Sequence, residues 1–130
     1  MLILAIRTDK PEAEIYLYRD TTQVDSLIWH ADRRLSDTLH LQIKKIIELN
    51  EFALNDIQAL AVYEGPGSFT GLRIGFSVAN ALANSLNAPI VSSTSDHWLD
   101  QATKRLLKGE NEETARPEYG APPNITQPKK

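Results

Sequence analysis

The sequence contains no cysteine, so neither a disulfide framework nor a thiolate metal site is available to it. Long apolar runs are missing as well. The opening "MLILAIRTDK" is apolar for six residues and then charged, too short for a secretory h-region and without the basic residues that precede one. No run approaches the roughly 18 apolar residues of a membrane-spanning helix, so a cytoplasmic protein with no membrane partner is expected. Basic charge is not in excess. Against 14 Lys and Arg stand 17 Asp and Glu, a net charge of −3, and no broad nucleic-acid-binding surface follows. Familiar catalytic patterns are missing too. His30, His40 and His97 are far apart in sequence and form no zinc-ligand spacing, which favours separate structural roles. Ser68 sits in "GPGSFTG", not in a G-x-S-x-G elbow. Glu110, Glu112 and Glu113 read as a solvated run. No catalytic residue or metal site is assigned, and no cofactor is expected.

What is present suits one domain of ordinary size: 130 residues, 42% apolar and 24% charged. Residues 2–6 form a continuous apolar run, as in a strand buried on both faces. "AEIYLYR" alternates Ile15 and Leu17 with Tyr16 and Tyr18, and "QVDSLIWHA" suggests a third, less regular strand. Links this short demand an antiparallel meander, because a parallel return needs a crossover of about a dozen residues. From Ser36, a candidate N-cap, Leu39, Ile43, Ile46 and Ile47 recur at helical spacing to about Glu51. Leu41 and Leu49 widen that apolar arc. This fits either a broad core contact or a helix with apolar surface left for a partner. Asn55 offers another cap or single turn before a strand at 59–63. A helix over 70–87, a strand in "APIVSS" and a helix in "TSDHWLDQATKRLLKG" complete the order βββαβαβα, with Gly109 as the last helix stop. The fold class is therefore α/β, a mixed five-stranded sheet carrying helices. Residues 110–130 hold four of the seven prolines and are expected to be extended or disordered, docking through Tyr119 and Ile125.

Glycine is scarce, six in all, yet four fall in "EGPGSFTGLRIG" (64–75). Such a cluster marks a demanding turn or a close approach. A P-loop would need Lys-Ser/Thr after Gly71, where Leu72 and Arg73 stand. Gly65, Gly67 and Gly71 give a loosened dinucleotide spacing, and Asp96 lies just past the next strand. Against that reading, Pro66 removes one N–H and the preceding strand is not the first. Gly71, Gly75, Ala79 and Ala83 instead form a small-residue stripe at i+4 spacing, with Leu72, Phe76, Leu82 and Leu86 as apolar bulk. The stripe admits a neighbouring backbone closely. It serves either a partner helix or, more plainly, the chain's own sheet.

"LILAIRTD" and "IQALAVYEGPGSFTGLRIGFSVANALA" together resemble the TsaB family of bacteria, also called YeaZ. The resemblance runs from Met1 to about Gly109. It implies a single ribonuclease-H-like lobe of the actin/sugar-kinase/Hsp70 superfamily over 1–109, with a tail over 110–130. It further implies a non-catalytic scaffold for TsaD, the enzyme that installs threonylcarbamoyl on the adenosine beside the anticodon of some tRNAs. In the family, the lobe's first two helices pack on those of TsaD, or of a second copy. The implied interface is Leu39, Ile43, Ile46, Gly71, Leu72, Gly75, Phe76, Ala79 and Ala83, with Gly65, Pro66, Gly67 and Ser68 as a structural loop. TsaE joins in a larger complex, and tRNA is reached indirectly. The family's usual "ILAIDT" is here "ILAIRT", so Arg7 replaces an aspartate that superfamily enzymes use for metal and phosphate. Ordinary members also carry a second lobe, and a one-lobe chain has no interlobe cleft. The alternatives are an ATP- or dinucleotide-binding enzyme using the 65–71 loop and, more weakly, a metalloprotease.

Overall fold

The computed structural model describes residues 1–118. Five strands, β1 (Leu2–Arg7), β2 (Glu12–Arg19), β3 (Thr22–His30), β4 (Ala59–Tyr63) and β5 (Ile90–Ser93), form one sheet in the order β3-β2-β1-β4-β5. The meander β1–β2–β3 is antiparallel, while β1–β4 and β4–β5 are parallel. Three helices, α1 (Leu35–Leu49), α2 (Phe69–Leu86) and α3 (Trp98–Leu107), follow in the expected alternation.

The period-2 geometry of strands divides the core in two. Leu4, Ile6, Ile15, Leu17, Leu60, Val62 and Ile90 point to the α1/α2 side. Ile3, Ala5, Ala59, Ala61 and Val91 point to α3, where Trp98, Ala102 and Leu106 cover them. Because helices flank both faces, β1 has no polar face and reads as an unbroken apolar run. Tyr16 and Tyr63 meet Trp98 edge-on, at centroid distances of 6.2 and 5.6 Å.

Helix ends depart slightly from the sequence expectation. Ser36 does not cap α1; a short 3-10 turn, Asp32–Arg34, runs into the helix, and Ser36 lies within its first turn. The turn near Asn55 forms as Leu54–Asp56, but Asp56 accepts the Ala53 N–H at 2.8 Å. Helix α2 is capped by Ser68, whose hydroxyl accepts the Gly71 N–H, and ends on Asn87 in the left-handed region. Gly109, at φ +89°, stops α3 as expected.

The segment after α3 corrects the expectation for one carboxylate, Glu112. Residues 110–118 form no helix or strand, yet they are pinned along the sheet. The Glu112 N–H donates to Ile90 O at 2.8 Å, and the Glu112 carboxylate accepts from Ser92 N at 2.8 Å and from Arg105. Glu112 is therefore bound, not part of a solvated run. Asn80 on α2 grips Ala115 twice, donating to its carbonyl at 2.9 Å and accepting its N–H at 2.8 Å. Tyr119 and Ile125, the expected docking residues, lie outside the described residues.

Asn80→Ala should remove both Asn80–Ala115 bonds. We expect a loss of about 1–3 kcal/mol in urea unfolding and faster proteolytic cleavage within 110–118. Unchanged stability and cleavage would mean that the segment is not held through Asn80.

Candidate protein-docking face

Helix α2 has two unlike sides, and Thr8 decides which faces inward. Thr8 follows β1 directly and is 1% exposed. Its hydroxyl donates to Gly71 O at 2.7 Å. A Cβ on Gly75 would overlap Thr8 Oγ1 and lie 3.2 Å from Thr8 Cβ and Cγ2; one on Gly71 would overlap the Thr8 carbonyl oxygen. The two glycines of the small-residue stripe therefore make room for the chain's own β1 end. Gly75, Ala79 and Ala83 are buried in the core with Leu72 and Phe76, and Gly71 is half-buried against Thr8. Leu39, Ile43 and Ile46 of α1 are likewise buried there. In the isolated chain the side chains of Leu39, Ile46, Leu72, Phe76, Ala79 and Ala83 are thus covered by the sheet and by each other, while Ile43 also borders the groove between α1 and α2. A small stripe signals close approach, and here the approaching backbone belongs to the same polypeptide.

The loop before α2 is filled in the same way. Gly67 abuts Asp9, and Gly65 backs onto the Glu118 carbonyl. The Ser68 N–H donates to Asp9 O at 2.8 Å and the Gly71 N–H to Ser68 Oγ, so these two amides are already used. Thr94 Oγ1 donates to Gly65 O, and the Gly65–Pro66 peptide is cis. This loop is a joint between β1, β4 and the 110–118 segment.

At the end of β1, the Arg7 guanidinium binds Asp9 through Nε at 2.7 Å and Nη2 at 3.2 Å, and lies 3.9 Å over the Tyr63 ring. Burial would lower the Arg7 pKa, but the Asp9 bond and the Asp9 and Glu14 charges raise it. Burial would also raise the Glu14 carboxyl. Bonds from Lys10 and Tyr16, with the Lys10 and Arg7 charges, hold it below its ordinary value instead. Arg7, Asp9, Lys10 and Glu14 thus form a closed ion-pair cluster. A divalent metal ion would meet a fixed cation here in place of a carboxylate ligand, and the residues present do not fit one. Among the described residues, no group of three or more His, Asp or Glu is placed to hold a metal ion. His30 pairs with Glu12, and His97 precedes α3.

What faces outward is different. Ile74, Val78 and Leu82 recur every four residues on the α2 side next to the stripe, about 100° round the helix, and each is only partly buried. Between α1 and α2, Val78 and Leu82 help form an open apolar groove of about 390 Å³, with Ile43, Ile47, Phe52 and Leu54 in its lining and His40, Lys44 and Glu48 among its polar residues. Leu41 and Leu49 extend the apolar surface along α1, at 56% and 61% exposure. Of the interface expected from sequence, Ile43 alone lines this groove. Val78 and Phe52 were missed, although the 74-78-82 spacing signals a second apolar ridge. Helix exposure is thus decided by Thr8. Gly75→Ala should cost about 1–3 kcal/mol by overpacking, and adding Thr8→Ala should recover part of it in a urea-unfolding double-mutant cycle. Strict additivity would contradict the contact.

A family profile described as "TsaD: tRNA N6-adenosine threonylcarbamoyltransferase" matches residues 29–109. The chain is 34% identical over 95 residues to the tRNA threonylcarbamoyladenosine biosynthesis protein TsaB of Bacillus subtilis, covering 73% of this chain and 42% of that protein. Against TsaB of Haemophilus influenzae the identity is 31% over 113 residues, covering 85% and 47%. The chain thus spans less than half the length of these curated relatives. Among solved structures, YeaZ from Pseudomonas aeruginosa superimposes with a TM-score of 0.66 at 26% identity, covering 72% of this chain and 43% of that one. Thermus thermophilus RuvC, in complex with a Holliday junction, superimposes with a TM-score of 0.52 at 11% identity, covering 92% and 85%. That second likeness concerns the fold alone, a ribonuclease-H-like lobe. The profile bears the transferase's description, while the relatives matched over most of the chain are TsaB proteins, and on the described lobe and these matches the chain belongs to the TsaB (YeaZ) family.

Proposed function

We propose that the chain is a non-catalytic docking partner in tRNA threonylcarbamoyladenosine biosynthesis, holding a TsaD transferase against the outer faces of α1 and α2. The observation that carries this reading is the apolar groove between those helices, continued by exposed Leu41 and Leu49. A floor of aliphatic side chains with a polar border is the anatomy of a protein interface. A partner helix laid along it would bury apolar surface that the lobe cannot cover itself. The names of the relatives supply the pathway. In this reading the chemistry resides in the transferase, and tRNA and TsaE are met through it.

The closed Arg7 cluster and the filled glycine loop support a scaffold over a nucleotide-using enzyme. A second copy bound through the same helices is the competing occupant of the groove. Leu41→Arg and Val78→Arg place charge on each wall of the surface. Each variant should weaken binding to the same organism's TsaD at least tenfold, about 1.4 kcal/mol, in calorimetric titration. Thermal stability of the exposed Leu41→Arg variant should stay nearly unchanged. Affinity within twofold of the parent for both variants would rule out this face. A homodimer split by the same substitutions, with no TsaD binding, would assign the groove to a second copy.

A further inference from the structure

The two sheet edges are treated differently, and β5 is closed by three side chains and one backbone N–H in place of a strand. Leu60 N donates to Pro89 O at 2.9 Å and Glu64 N to Ser93 O at 2.7 Å, so residues 89, 91 and 93 face β4. Ile90 and Ser92 therefore turn their backbone groups outward. All four of those groups are taken. Ile90 N donates to Asn111 Oδ1 at 3.0 Å, and Ile90 O accepts from Glu112 N at 2.8 Å. Ser92 N donates to the Glu112 carboxylate at 2.8 Å, and Ser92 O accepts from Arg105 Nη1 at 2.6 Å. Arg105 also binds Glu112 at 3.1 Å and Glu110 at 2.7 Å, locking the cover to α3. An open edge is a template for strand addition.

We propose that residues 111–118 with Arg105 form an edge guard, and that the β5 edge beneath it accepts the β5 edge of a second copy once the guard is lifted. The strand is self-complementary in the required sense. Antiparallel pairing about a two-fold axis at Val91 sets Ile90 opposite Ser92 of the other copy. Each such pair exchanges two backbone bonds, so two pairs engage, with four bonds, all eight outward backbone groups that the guards of the two copies cover. The register keeps every side chain on its own face, because opposed positions differ by an even number. Both sheets would continue as one, with an isologous contact. This inference is independent of the α1/α2 docking face.

Full-length chain carrying Arg105→Ala with Glu112→Ala should dimerise in sedimentation velocity, with an association constant at least tenfold above that of the parent. Ser92→Pro added to that pair deletes an outward N–H and should return it to monomer. A folded, monomeric double variant overturns the proposal, and so does a dimer that persists with Ser92→Pro. If the double variant does not fold, Glu112→Gln decides. It keeps the shape but loses the ionic bond to Arg105, and should raise self-association at least threefold; no rise overturns the proposal.

Discussion

One steric constraint sets most of this molecule: the Thr8 side chain and carbonyl occupy the space in which Gly71 and Gly75 would carry a Cβ. Thr8 is held there because β1 is central in the sheet, paired with β2 on one side and β4 on the other. Helix α2 can lie against this position only with its smallest face inward. Its orientation then follows, and Ile74, Val78 and Leu82 are turned toward α1 and the outside. The hydrogen bond from Thr8 to Gly71 O ties the same contact to the first turn of the helix. Packing of this kind tolerates little added volume, since interiors are already near close packing.

The same end of the sheet gathers the polar elements. Arg7 closes on Asp9 and stacks on Tyr63, and Lys10 closes on Glu14. The glycine loop rests on Asp9 and on the segment that follows α3. That segment also binds β5, α2 and α3. The lobe is thus closed at its charged end and along one edge, and it is apolar and open between α1 and α2. On the proposed function, this asymmetry assigns the partner to the groove and not to the loop.

Much of the fold could be read from the sequence because its signals are local and periodic. The apolar run of β1, the alternation in β2 and the helical spacing of α1 each follow from which faces are buried. Strand 59–63 and the Gly109 stop were legible for the same reason. The direction of the α2 stripe was not. Small residues record that a backbone comes close, but only the path of Thr8 shows whose backbone it is. Glu112 was illegible as well: its partners, Ser92 and Arg105, are 20 and 7 residues away and carry no motif. Ser36 looked like a cap because the 3-10 turn before α1 has no periodic signature.

The absence of native cysteine allows the orientation of α2 to be measured directly by thiol labelling. Ser77→Cys lies on the exposed side of the helix and Ala79→Cys on the buried side. In the isolated chain, the first should label at least a hundredfold faster than the second, and TsaD should slow the first while leaving the second unchanged. Equal labelling of the two positions, or a Ser77→Cys rate that saturating TsaD does not alter, would contradict an α2 that packs its small face inward and offers its other face to a partner.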